Sequence, residues 1–194
     1  MTSTISFAVE PGEGNIIIFD MDGDNSLTGG PGDDILVGGK EDDTLEGGEG
    51  NDILVGIDGN DYISGGKGDD TLTGGGINFV NDTLFVTLDT SGIDTLSGGQ
   101  GADLFVLGGN SQTQSEIVIH YDEAGNDDYA LITDFNLDED KIFLGGSKND
   151  YRLGSSPNDL PVGTALYRED ELIAIIQGSS ELSLNESYFQ GSDV

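Results

Sequence analysis

Aspartates at positions 34, 43, 52, 61 and 70 recur at intervals of nine residues, each behind a glycine-rich stretch and two places ahead of an aliphatic residue. Carboxylates at a fixed period can repel, bind a hard cation together, or act in pairs as acid and base. Cysteine is absent and His120 is the only histidine. Thiolate metal sites are thereby excluded, and a zinc site or a Ser/His/Asp triad lacks visible partners. His120 itself lies in the alternating run Glu116–Tyr121 and reads as a solvent-facing strand residue. Carboxylate pairs of the glycosidase kind are available by type. A cation ladder accounts for most of them, however, and no stretch offers a substantial catalytic domain, so the chain does not read as an enzyme.

The elements that must position these aspartates are nine-residue units. They run in frame from Gly29 to Thr73 as GGPGDDILV, GGKEDDTLE, GGEGNDILV, GIDGNDYIS and GGKGDDTLT. A degenerate unit, DMDGDNSLT, precedes them at 20–28 and places Asn25 at the sixth position. Two longer segments, GGGINFVNDTLF (74–85) and VTLDTSGIDTLS (86–97), read as twelve-residue units that still end in the Asp-x-Leu step, with Asp82 and Asp94 in the sixth-place role and three extra residues that can bend the loop at each; GGQGADLFV closes the series at 98–106 with Asp103. Glycines at places one, two and four free the backbone for positive φ and expose carbonyl oxygens, and those at place two (Gly30, Gly39, Gly48, Gly66) and place four (Gly32, Gly50, Gly59, Gly68) are the candidate ligands. Glu41 and Ile57 stand where glycines are expected, which predicts distorted loops there.

The last three residues of each unit predict a short strand whose middle side chain points inward: Leu27, Leu36, Leu45, Leu54, Ile63, Leu72, Leu84, Leu96 and Phe105. Strand, turn and strand in alternation describe a parallel β-roll with two units per turn, so that units i and i+2 stack. The predicted ridges are Asp34, Asp52, Asp70 and Asp94 on one side, and Asn25, Asp43, Asp61, Asp82 and Asp103 on the other. One buried aliphatic side chain stabilises by about 1.5–3 kcal/mol, whereas ordering a residue costs about 1–2 kcal/mol. Stacked carboxylates add repulsion. A divalent cation between successive loops answers both deficits, and calcium, which accepts about 6–8 oxygen ligands in flexible geometry, suits mixed carboxylate and carbonyl cages better than magnesium. The two ridges offer slots for up to about seven calcium ions.

These units resemble the calcium-binding nonapeptides of the repeats-in-toxin (RTX), or hemolysin-type, family. The resemblance spans 20–106 and implies a right-handed parallel β-roll, calcium between the turns, type I secretion and ordering on meeting extracellular calcium. The stretch GADLFVL followed by YALITDFNLDEDKIFLGG also resembles the segment after such rolls in hemolysin-like and serralysin-like proteins.

Composition supports cations as partners. With 38 acidic against 6 basic residues the formal charge is -32, which disfavours nucleic acid. No apolar run suits a membrane span, and the N-terminus does not read as a cleaved secretory signal. The expected organisation is an N-terminal segment or cap (1–19), the roll (20–106) and a β-rich cap (107–194) whose end is a candidate secretion tail. Asp134 and Asp140 are possible extra ligands, with turn or surface roles preferred. The stretch Asp20, Asp22, Asp24 opens like an EF-hand loop but has Asn25 and Pro31 where glycine and glutamate belong, and so reads as a degenerate first coil. Ile35, Val37, Ile53 and Val55 form an outward apolar patch expected to be covered by the segment around Ile16–Phe19 or by a second copy. Beside a secreted or cell-surface calcium protein, two readings stay open: an accessory module that binds polysaccharide or protein, and an intracellular calcium buffer.

Overall fold

The computed structural model describes residues 14–20, 22–75, 77–80, 83–86, 92–110, 117–119, 121, 128–178 and 181–191. The described elements are strands apart from one 3-10 turn at Lys148–Asp150, and the class is all-β with largely parallel sheets. The repeat units alternate between two sheets. The seven-stranded sheet runs Ile17–Phe19, Ile35–Gly39, Ile53–Ile57, Thr71–Thr73, Leu104–Val106, Lys141–Leu144 and Phe189–Gly191. The eight-stranded sheet begins Ser26–Pro31, Thr44–Glu49, Tyr62–Lys67 and Ile93–Gln100, then continues through Tyr129–Ile132, Glu171–Ile176, Thr164–Arg168 and Tyr151–Ser155. Its last two pairings are antiparallel.

Register follows the repeat. Leu36 pairs with Leu54 and Leu54 with Leu72, while Leu45 pairs with Leu27 and Ile63. All of them are fully buried in a single cluster that both sheets share. The expected inward positions Leu27, Leu36, Leu45, Leu54, Ile63, Leu72, Leu96 and Phe105 therefore form the core. The strand of Leu84, Thr83–Val86, stands elsewhere and pairs antiparallel with Ile77–Val80 outside the two main sheets.

This hairpin corrects the reading of 74–97 as two twelve-residue units. Leu96 pairs with Ile63, and Phe105 with Leu72, so the step from Asp61 to Asp94 is a single turn lengthened to 33 residues. Gly92 confirms the alignment, because a Cβ there would overlap the carbonyl oxygen of Gly59, a place-four glycine. Residues 74–76 and 92–97 thus make one interrupted unit, GGG followed by GIDTLS.

Both Glu41 and Ile57 accept positive φ. Ile57, at 104°, stays near the place-two glycines Gly30 (118°) and Gly66 (116°), whereas Glu41, at 67°, departs from the place-four glycines Gly32 (116°) and Gly50 (127°). The apolar patch also differs from expectation. Val37, Val55 and Thr73 are buried at place nine, yet Ile17–Phe19 does not lie over them; it pairs edge to edge with Ile35–Val37, leaving Ile17 and Phe19 exposed.

Candidate metal centre

Each sixth-place aspartate bridges two turns. One of its oxygens, Oδ1, accepts from the backbone N–H of the sixth-place residue one turn earlier, since parallel stacking brings that N–H beneath it. Asp34 N–H donates to Asp52, Asp52 to Asp70, Asn25 to Asp43 and Asp43 to Asp61, all at 2.8 Å. Fifth-place side chains work in the opposite direction. Asp33 Oδ1 accepts from Asn51 N–H, Asn51 Oδ1 from Asp69 N–H, and Asp42 Oδ1 from Asn60 N–H. The recurring Asp-Asp and Asn-Asp pairs at places five and six are the sequence signal for this role.

The hydrogen bonds also revise the ridges. Asp94 follows Asp61, and Asp103 follows Asp70, at 2.8 and 3.0 Å from the respective N–H groups. Because the hairpin consumes the intervening residues, the expected placements of Asp94 after Asp70 and of Asp103 on the other ridge are exchanged. Asp82 and His120 lie outside the described residues. On the seven-stranded side the series is Asp34, Asp52, Asp70, Asp103 and then Asp140, whose Oδ1 accepts from Asp103 N–H at 3.0 Å. Asp140 heads an Asp-x-Ile step like those of the units, so its ridge position was legible in that pattern. Asp134 instead accepts from Gly98 N–H, Gly99 N–H and Ser97 Oγ, which is the turn role preferred for it.

The second oxygen is where a cation fits. Oδ2 of Asp34, Asp43, Asp52, Asp61 and Asp70 is buried without a hydrogen-bond partner, as is Asn25 Oδ1. Burying an unpaired carboxylate oxygen is costly, so five such atoms in register require a common explanation. Place-one glycines make room for them. A Cβ at Gly47 would overlap Asp52 Oδ2 and sit 2.6 Å from the Gly65 carbonyl oxygen; Gly29 and Gly65 repeat this with Asp34 and Asp70. A carboxylate oxygen and a backbone carbonyl thus converge on one cradle. Positive φ is held by the place-two and place-four glycines Gly30, Gly32, Gly39, Gly48, Gly50, Gly59, Gly66 and Gly68, whereas the place-one glycines Gly29, Gly38, Gly47, Gly56 and Gly65, expected to share it, do not. Gly48 and Gly66, and likewise Gly50 and Gly68, approach the carbonyl of the equivalent residue one turn earlier too closely for any Cβ.

Burial also sets the electrostatics of these carboxylates. Burial lifts the Asp61 carboxyl from 3.8 to about 8, with repulsion from Asp94 adding to it and the Asp43 N–H opposing. Burial likewise raises Asp70 to about 7, and Asp43, Asp52 and Asp103 to about 6. A bound divalent ion reverses this by favouring the ionised form. Among the described residues no three His, Cys, Asp or Glu side chains converge on a point, so a cation here takes carbonyl oxygens as well. An all-oxygen set of this kind fits calcium.

The RTX calcium-binding nonapeptide repeat model matches residues 12–45, 19–54, 46–76 and 88–111. The gap between the last two matches coincides with the hairpin. No curated protein matches the chain. The region 12–111, with the buried aspartate ladder that its repeats build, matches the RTX calcium-binding nonapeptide repeat family.

Proposed function

We propose that residues 20–106 form a right-handed parallel β-roll that folds on binding several calcium ions between loops one turn apart. In this reading 1–19 lead into the roll and 107–194 cover its far end. The protein acts at the cell surface or outside the cell, after type I export. The observation that carries the proposal is the register of five buried, unpartnered Oδ2 atoms on Asp34, Asp43, Asp52, Asp61 and Asp70. Asn25 extends the ladder at one end and Asp103 at the other. Glycine carbonyls complete each cage.

Folding and binding are coupled here because the ladder is self-repelling until a cation is present. Extracellular calcium modules bind with Kd of about 10⁻⁴–10⁻³ M. Such sites would be empty before export and filled after it. A calcium titration of the full chain, followed by circular dichroism with magnesium as control, tests the proposal. Strand content should rise cooperatively with calcium and not with magnesium at the same concentration. Full strand content in excess chelator would overturn folding on binding.

A further inference from the structure

The two ridges end differently. On the seven-stranded side Asp103 is followed by Asp140. On the eight-stranded side the residue in register after Asp94 is Ala130; the buried carboxylate at this end, Asp128, accepts through Oδ1 from Gly92 N–H and so stands at the place-four position, out of the sixth-place series. The run of buried, unpartnered Oδ2 atoms ends before Asp103 on one ridge and before Asp94 on the other, and at Asp94 a side chain takes the oxygen. The hydroxyl of Tyr121 donates to Asp94 Oδ2 at 2.7 Å, and both side chains are buried. The contact falls in the cradle of the place-one glycine: a Cβ at Gly74 would overlap both Asp94 Oδ2 and the Tyr121 hydroxyl. At Gly47 and Gly65 the same volume is bounded by Asp Oδ2 and a glycine carbonyl. Tyr121 reaches the cradle from outside the repeats with φ at 64°, a conformation an L-residue holds only when its surroundings impose it.

We propose that Tyr121 is a built-in terminator of the calcium ladder: its hydroxyl satisfies Asp94 Oδ2 in place of a cation, so the ion sites on the eight-stranded side stop at Asp61. This rests on the calcium reading above and adds to it a residue that sets how many ions bind. A phenol O–H supplies one donor, enough for one carboxylate oxygen, whereas a divalent ion would need several further oxygens. Ala130 removes one source of them.

Native mass spectrometry of the full chain in calcium counts bound ions directly. Asp94→Asn should leave the count of the parent protein unchanged, Asp61→Asn should lower it by one, and Tyr121→Phe should raise it by one. Loss of an ion in Asp94→Asn, or an unchanged count in folded Tyr121→Phe, overturns the proposal. Where Tyr121→Phe loses its strand signal, Asp94→Asn decides alone. A parent protein that holds no calcium overturns the calcium reading itself. A parent that holds calcium and loses one ion on Asp94→Asn overturns only the role of Tyr121.

Discussion

At the scale of single residues, the loops depend on backbone conformations that side chains resist. Ile57 is β-branched and holds φ at 104° because its neighbours in the stack are glycine loops of fixed shape. Left-handed backbone costs an L-residue about 1–2 kcal/mol, and glycine recovers most of that despite its greater freedom in the unfolded chain. Ile57 is only half-buried, so little apolar contact is lost. Ile57→Gly should therefore stabilise the calcium-loaded protein by about 1 kcal/mol, seen as a higher melting temperature; a lower one would show that its side chain matters more than its backbone. Gly47→Ala should act in the opposite sense. Its Cβ would enter the cradle of Asp52 and Gly65, and the calcium midpoint should rise by tenfold or more, about 1.4 kcal/mol. A midpoint unmoved by Gly47→Ala would argue against this cradle as a cation site. The sixth-place aspartates were legible in the sequence because a nine-residue period fixes chemistry and geometry together. Place-one glycines and fifth-place acceptors gain their roles only from the neighbouring turn, which the linear spacing does not display.

At the scale of elements, the long unit shows how a local pattern misleads. Asp82-Thr83-Leu84 and Asp94-Thr95-Leu96 are the same type of step, and strand alternation is common to a ladder strand and a hairpin strand. Only the second joins the main sheet, because Gly92 reproduces the place-four glycine two residues before Asp94 and can lie on Gly59. The insertion falls between places three and four of one unit. Removing residues 77–91 rejoins Gly74-Gly75-Gly76 to Gly92-Ile93-Asp94 and regenerates a regular unit. The shortened chain should keep its strand content and its calcium count in circular dichroism and native mass spectrometry. Loss of calcium-dependent folding on this deletion would mean that the hairpin supports the ladder rather than interrupting it. Beyond 128, the strands Tyr129–Ile132, Lys141–Leu144, Thr164–Arg168 and Glu171–Ile176 were legible from apolar runs and turn residues, and Tyr151–Ser155 and Phe189–Gly191 were not. Their addition to the same two sheets was not, since sheet order is set by long-range register that no local run encodes.

At the scale of the whole molecule, a formal charge of -32 and buried carboxylates act in the same direction. In the calcium-free chain Asp61 titrates near 8 and Asp70 near 7 when folded, against an ordinary 3.8. Between about pH 4 and 8 the folded state retains protons that the unfolded state has released. Its stability therefore falls as pH rises through that window and levels off above it. Self-repulsion of the acidic surface deepens the same trend. Calcium inverts it, because the ions bind the ionised form and protons compete with them. In chelator, the protein should hold more strand and a smaller hydrodynamic radius at pH 4.5 than at pH 8. In saturating calcium the order should reverse, with the higher melting temperature at pH 8. Circular dichroism and size-exclusion chromatography across the two series test both halves. A calcium-free chain that gains stability from pH 4.5 to 8 would mean that the sixth-place carboxylates are not the groups that hold the folded state back.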